Sequence, residues 1–559
     1  MHGGESPVKR RKCDLSSAAS PAPTHSQTRR LVHLSVTHMS SAKSSGGASP
    51  TSAGDAKLSV GGGGRLASSA ARARDWVEAR ALFIVAVSAV LILTLAGIPQ
   101  HLAQDGWLAL VAGRLVAAHG VPHYDYFTVM AYGDHWVDQQ WLAQFLMYEL
   151  QRLGGFQLLT VVYVLITTAA FGAAIAVARR LGGEGLHVLA MLPLGAFFYL
   201  VTAVSIRTQG LAYPLFIATL YLLATDVRGD RPRRRTWLVL PILILWANIH
   251  GSVTVGVGLA VLYGLLQLVK SLRARGDSAQ AVLRALAFVA IPPLTLLATP
   301  YGSSIVHYYR LTLLNSNFSK LVTEWRPVTS VPILAVPLFV LIAGTAYTLL
   351  RTWRRTPAFD ALVLVALAVG AVDAVRNVTW FGLAVMVLLP GAVTKLRGDR
   401  PAPLRRARVN RLLAITMAAL ALLTTVVIAT RPDRWFTSTY PTRAIPTLQR
   451  LVAASPQTKI FADVHYADWL IWEQPRLFSG RVAYDTSLEL LSIKQLSTVG
   501  SLGRFRGKGT PPVLKPYRIW VLNPVNKVGN RTLLAQAGVH VKLRTKLVLI
   551  VTYVPTSRA

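Results

Sequence analysis

Residues 104–141 read QDGWLALVAGRLVAAHGVPHYDYFTVMAYGDHWVDQQW, and their place between two long apolar runs decides how the rest of the chain is read. The stretch holds four of the chain's 24 acidic residues, Asp105, Asp125, Asp134 and Asp138, together with Trp107, Trp136 and Trp141. Elsewhere the chain spends its charge on arginine. A polar, acid-bearing segment between apolar runs is expected at a membrane face.

Composition sets the class. Of 559 residues, 52% are hydrophobic and only 15% charged, with a mean hydropathy of +0.43. Apolar runs of about 17 to 22 residues recur, the length that crosses a bilayer core. The fold class predicted is a polytopic α-helical membrane protein. A net charge of +35 would suit nucleic acid in a soluble protein. Here the arginines cluster in short segments between apolar runs, so they read as topology signals and no nucleic-acid partner is expected. The single cysteine, Cys13, excludes an intrachain disulfide.

About eleven transmembrane helices are predicted. They cover about 81–98, 156–177, 186–204 and 211–225, two pieces of 237–270 broken at WANIHG (246–251), a run ending near 298–302, then 331–350, two runs flanking 373–377, and 412–429. Residues 1–78 are expected to be a disordered basic cytoplasmic tail, with KRRK at 9–12 and no cleavable signal peptide at Met1; Met39 is an alternative start. A membrane domain follows at 79–430, with a large first outer loop at 99–155. The arginines of 179–180, 228–235, 270–284, 351–355 and 395–411 fall in alternate connections. The positive-inside rule then puts the N-terminus in the cytoplasm, and the loop and residues 431–559 outside.

Residues 431–559 are expected to form a small C-terminal α/β extracytoplasmic domain. KIFADV (459–464), RVAYD (481–485), YRIWVLN (517–523) and KLVLIVTYV (546–554) read as strands, and ADWLIWEQ, SLELLSIKQL and NRTLLAQAG as helices between them. GRFRGKG (503–509) reads as a solvated loop. No Gly-rich phosphate loop, paired-histidine metal motif or G-x-S-x-G elbow is present, so soluble hydrolase chemistry has no support.

What remains is polar residues at the outer face, each costly if it faced lipid. Asp105 opens a helical pattern in which Trp107, Leu108, Val111 and Leu115 are expected along the membrane interface; the competing reading is an N-cap. Asn248 and His250 sit in a broken helix that must line protein or a cavity. Asp138, Gln139 and Gln140 beside Trp136 and Trp141 read as a sugar-facing set or as part of an interfacial aromatic belt. Arg207 and Arg376 lie at outer span ends and can grip phosphate or snorkel to headgroups. Glu324, Trp325 and Arg326 read as a ligand-binding group or a structural Glu–Arg contact.

DGWLALVAGRLVAAHGVPHYDYF, WVDQQWL, WANIHG, TPYG and TEWRP, in that order, resemble the GT-C glycosyltransferase superfamily, specifically bacterial relatives of the RgtA/B/C/D and protein-mannosyltransferase group. The resemblance covers roughly Ala81 to Trp380. It implies an essential acid soon after the first span and a sugar donor carried on a polyprenyl phosphate. Asp105 matches that placement. Relatives of the mannosyltransferases often carry a second acid beside the first, whereas Gly106 stands there in this chain; Asp125 is then the preferred partner acid, ahead of Asp134 and Asp138.

The resulting expectation is an inverting transferase that moves the sugar to a cell-envelope glycan, lipid or protein. Asp105 and Asp125 are the candidate catalytic acids. Arg207, His250, Arg376, Asp138, Gln139, Trp141 and Glu324 are candidate substrate-binding residues. The partners are the polyprenyl-phosphate-linked sugar donor, a cell-envelope acceptor and membrane lipid. No cofactor is assigned and a divalent metal stays open. A lipid-linked-sugar flippase and a non-enzymatic envelope scaffold are the alternatives; the absence of an evident internal repeat weighs against a transporter.

Overall fold

The computed structural model describes residues 63–98, 102, 104–274, 279–313, 322–397, 407–501 and 514–554. The expected disorder of residues 1–62, the alternative start at Met39 and the 503–509 loop fall outside them. Among the described residues before the C-terminal part, the helices are α1 (Gly63–Ala96), α2 (Gln104–His119), α3 (Trp141–Arg180), α4 (Gly185–Ala203), α5 (Tyr213–Val227), α6 (Val239–Ile249), α7 (Val253–Arg273), α8 (Ala279–Leu294), α9 (Ser304–Leu313), α10 (Pro332–Thr352), α11 (Ala358–Asp373), α12 (Val378–Arg397) and α13 (Ala407–Ala429).

The chain is a multi-pass membrane protein. Among the described residues, eight helical stretches are long and apolar enough to cross a membrane: those of α1, α3, α5, α7, α8, α10, α12 and α13. The shorter α4, α6 and α11 stand where the third, fifth and ninth spans were expected. The central helix is α12, 94% of whose apolar window is buried inside the protein, against 17% for α13 at the periphery. Trp380 on α12 packs on Tyr213, Phe216 and Trp246 with ring centroids 5.2–5.8 Å apart.

Three local departures have clear causes. Helix α1 begins at Gly63, inside the stretch assigned to the tail; Arg74 and Glu78 stand one turn apart and Glu78 also pairs with Arg411 of α13, contacts that favour helix over coil. Helix α3 is two helices joined at Gly154 and Gly155, and Gly155 has φ 66°, a conformation open to glycine at little cost. Helix α6 stops at Ile249, His250 is extended and α7 starts at Val253, so WANIHG does break a helix.

At the arginine-rich end, the acids are consumed by structure. Asp226 accepts bonds from the Arg233 backbone N–H, Thr236 Oγ1 and Tyr263, and pairs with Arg284 at 3.3 Å. Asp360 pairs with Arg228.

The C-terminal part holds a mixed four-stranded sheet of order β1-β2-β4-β3, with β1 (Ile460–Ala462), β2 (Ile519–Leu522), β3 (Val539–Arg544) and β4 (Leu549–Tyr553). Strand β1 runs parallel to β2, and the other pairs are antiparallel. Three expected strands are present. RVAYD is not one: Val482 makes isolated bridges to Ile460 and to Thr128. Strand β3 went unforeseen because its VHVKLR sequence alternates exposed basic residues and has an edge position.

These pairings join residues 127–130 to the C-terminal part. Val129 and Met130 donate backbone bonds to Val482 and Ala483 at 2.8 and 2.9 Å, and Gly480 donates to Phe127 at 2.8 Å. Arg114 of α2 donates to the carbonyls of Ile471 and Trp472, at the end of helix Val464–Glu473, at 3.0 and 3.1 Å. One apolar core runs from Trp107 and Phe156 to Tyr440, Trp469 and Ile550. Trp107, Leu108 and Val111 of α2, expected along a membrane interface, are instead buried in protein, because the C-terminal sheet and its helices cover them.

Candidate active site

The site begins with a close approach of two backbones. A Cβ at position 106 would lie 2.5 Å from the Ile206 carbonyl oxygen, closer than any carbon–oxygen contact relaxes to. Glycine removes that atom and lets the first turn of α2 press against the segment before Arg207. Asp105, within that turn rather than at its cap, then meets Arg207 at 3.4 Å. Arg207 extends away from the α4–α5 connection and also binds Glu324 at 2.7 Å. The same close approach explains why this chain has no second acid next to Asp105.

Arg376 completes the group. It sits in the short turn between α11 and α12, and its guanidinium lies over the Trp325 ring at 4.1 Å from the centroid. Glu324 and Trp325 share one 3₁₀ turn, so two acids and two arginines from four separate segments converge. Glu324 thus makes its ion pair with Arg207, from the α4–α5 connection.

The two carboxylates differ. The Asp105 side chain is about half exposed, 51%, yet its partial desolvation at the cavity wall, ahead of the opposing pull of Arg207, raises it above its ordinary value, and Glu324 adds to the rise. Burial pushes Glu324 up as well, but Arg207 and then Arg376 outweigh it and leave Glu324 below its ordinary value. Glu324, with the shorter contact to the guanidinium, keeps its charge. Asp105 is the carboxylate able to take a proton.

A cavity of about 510 Å³ opens between this group and the C-terminal part. Asp105, Gln139, Arg207, His250, Glu324 and Arg376 all line it. His250 Nδ1 accepts the Ser252 backbone N–H at 3.0 Å and lies 2.8 Å from Ser252 Oγ, so the neutral ring carries its proton on Nε2. Thr208, beside Arg207, donates to Gln140.

The remaining expected residues stand behind the wall. Asp125 does not line the cavity: it is 1% exposed and accepts the Phe127 and Thr128 backbone N–H groups at 2.8 and 3.2 Å and the Thr128 hydroxyl at 2.6 Å. These bonds shape the loop, and Glu324, not Asp125, is the acid that shares Arg207 with Asp105. Asp138 is also buried behind the cavity, raised to about 7 by burial and then by Glu489. Trp136 is buried against Phe127, and Trp141 donates through Nε1 to Asn248 Oδ1 at 2.9 Å. Asn248 in turn donates to the carbonyls of Ile244 and Ala298, so it serves the broken helix.

Several lining residues carried no signal in the sequence. Gln144, Tyr308 and, from the C-terminal part, Asp463, Thr486, Glu489 and Asn523 reach the cavity only through tertiary packing. Glu489 is raised to about 7 by burial. Among the described residues no group of three or more His, Cys, Asp or Glu converges closely enough to hold a metal ion.

The architecture is that of a multi-pass helical membrane protein with a polar cavity under a small mixed-sheet cap. No family model matches the chain, and neither does any curated protein. Among solved structures, it is similar to ArnT from Cupriavidus metallidurans in the apo state, at 14% identity and TM-score 0.43 over 86% of this chain and 98% of that one. The same protein bound to undecaprenyl phosphate matches at 13% identity and TM-score 0.43, over 85% and 97%. The Archaeoglobus fulgidus oligosaccharyltransferase in complex with zinc and sulfate matches at 12% identity and TM-score 0.41, over 78% and 67%. Likeness at this level concerns overall architecture and not activity.

Proposed function

We propose that this chain is an inverting membrane glycosyltransferase that moves a sugar from a polyprenyl-phosphate donor to a cell-envelope glycan, lipid or protein. The observation that carries the reading is the convergence of Asp105, Arg207, Glu324 and Arg376 on one cavity. The distribution of arginines among the connections supports placing that cavity on the outer face of the membrane.

Asp105 is the base in this reading. An acceptor hydroxyl attacks the anomeric carbon, the bond from that carbon to the phosphate oxygen breaks, and its electron pair leaves with the polyprenyl phosphate. The hydroxyl proton passes to Asp105. A carboxylate whose affinity for a proton is raised, as that of Asp105 is by partial desolvation and Glu324, is a better base than a fully solvated one. Arg376 and Arg207 offset the charge that gathers on the departing phosphate, a role suited to planar guanidinium groups. One displacement inverts the anomeric centre. Glu324 holds Arg207 in place.

The test is transfer from a radiolabelled polyprenyl-phosphate sugar by the full chain in liposomes. Asp105→Asn keeps size and membrane insertion and is expected to abolish transfer; full activity in that variant refutes the assignment.

A further inference from the structure

The C-terminal part separates its charges by sign between inside and outside. Residues 431–554 hold six carboxylates, and of these only Asp433 is exposed. Asp463 and Glu489 line the cavity, Asp468 and Asp485 are buried, and Glu473 accepts from Trp469 Nε1 at 3.1 Å. The described residues of the same span include 15 lysines and arginines, of which 14 are exposed, all but Arg481. Among the described residues no salt bridge involves this part. A soluble surface ordinarily intersperses both signs, and a field of one sign draws in the opposite charge.

Five of these cations stand beside the cavity. Helix Lys527–Leu534 carries Lys527 and Arg531 one turn apart and exposed, while Asn530 and Leu533 of the same helix line the cavity. Strand β3 packs beside this helix and carries Lys542 and Arg544, with Lys546 in the turn that follows. Arg544 stands in register with Leu549, and Leu549 with the cavity-lining Leu522, two strand spacings or about 10 Å in all. The basic strip therefore runs from the sheet edge to the cavity rim.

We propose that this strip docks the acceptor, and that the acceptor is a polyanionic glycan with carboxylate or phosphate groups along its length. The proposal rests on the glycosyl-transfer reading above and names the acceptor class. An anionic membrane is the competing occupant, since Val541 and Leu547 are exposed beside the strip. Two observations favour the polymer. Exposed cations also occupy other segments of this part, from Arg443 and Arg476 to Lys494 and Lys515, whereas a flat lipid surface meets one side only. The strip also leads to the cavity, where an acceptor hydroxyl has to reach Asp105.

The test uses the full chain in phosphatidylcholine nanodiscs, with oligogalacturonate and inorganic polyphosphate as anionic polymers and dextran as a neutral one. The wild type is expected to bind at least one anionic polymer about tenfold or more tighter than dextran, less so as salt rises. Each exposed charge contact is worth about twofold. Changing Lys527, Arg531, Lys542, Arg544 and Lys546 together to Gln should thus weaken polyanion binding about thirtyfold. Changing Arg443, Lys459, Arg476, Lys494 and Lys515 to Gln should weaken it less than about fivefold, because charges off the strip are screened. Acetylation of Lys527, Lys542 and Lys546 in the wild type, read by mass spectrometry, should slow with the polyanion present and stay unchanged when phosphatidylglycerol replaces phosphatidylcholine.

Equal losses in the two five-site variants, or dextran binding as tight as that of both anionic polymers, overturn the proposal. Protection of the three lysines by phosphatidylglycerol, with none from the polymers, assigns the strip to the membrane and overturns it too. Docking is read without turnover, so any of these results leaves the transferase reading in place. Full transfer by Asp105→Asn removes that reading instead, and with it the acceptor role of a polymer bound at the strip.

Discussion

Replacing Gly106 with alanine adds one methyl group 2.5 Å from the Ile206 carbonyl oxygen. Relaxed carbon–oxygen contacts begin near about 3.3 Å, so α2 and the 205–207 backbone must part by about 0.8 Å. Two effects oppose each other in stability. Alanine favours helix over glycine by about 1 kcal/mol, while overpacking costs about 1–3 kcal/mol. The net loss is small, about 0–2 kcal/mol.

The effect on the site is larger, because the strain falls on the contact that positions Asp105 against Arg207 at 3.4 Å. A misplacement of roughly 1 Å can cost about a hundredfold in rate. Gly106→Ala is therefore expected to insert normally, to lose at most a few degrees in Tm, and to transfer sugar roughly a hundredfold more slowly. The assay is initial-rate transfer in liposomes beside a thermal melt in detergent. A rate within twofold of wild type refutes the reasoning that glycine at 106 exists to bring Asp105 to Arg207.

Other outcomes follow from the same geometry. Transfer should fall as pH drops, since protonation of Asp105 removes the base, and the acid limb should lie above the ordinary carboxylate value because partial desolvation and the neighbouring Glu324 raise that group; a limb at the ordinary value would count against Asp105. Asp138, Asp468 and Glu489 are each raised to about 7, chiefly by burial. The folded chain thus holds more protons than the unfolded one between the ordinary carboxylate values and about pH 7, so these groups make stability fall as pH rises through that window. A melt that is higher at pH 8 than at pH 5 contradicts this. Trp107 is fully buried against Phe156 and Tyr440, and Trp107→Ala should cost about 3–5 kcal/mol, read as lost detergent stability. Arg114→Gln should loosen the cap from α2, since it removes the bonds to Ile471 and Trp472 and the stacking on Trp472; faster limited proteolysis of residues 431–559 is the expected readout.

Much of the architecture was legible in the chain. Apolar length marks spans because a bilayer has a fixed thickness, and the break at WANIHG shows because unpaired backbone at membrane depth has to be accommodated. The cap's buried strands β1, β2 and β4 were visible in their β-branched and aromatic runs, whereas β3 had no such run. Asp105, Arg207 and Arg376 stood out because charge near a membrane face is expensive.

The sequence by itself thus determined the membrane class, the approximate spans and the few charges that had to be excused from lipid. Tertiary structure alone decided which of those charges meet. Asp105, Arg207, Glu324 and Arg376 come from positions far apart in the chain, and no local pattern encodes their convergence. It also sent Asp125 to shape a turn and put Glu324 in its place, because a carboxylate's role follows from what surrounds it. The polarity of residues 104–141 is plain in the sequence; their packing under the cap is not, because the surface that covers them lies more than 300 residues away.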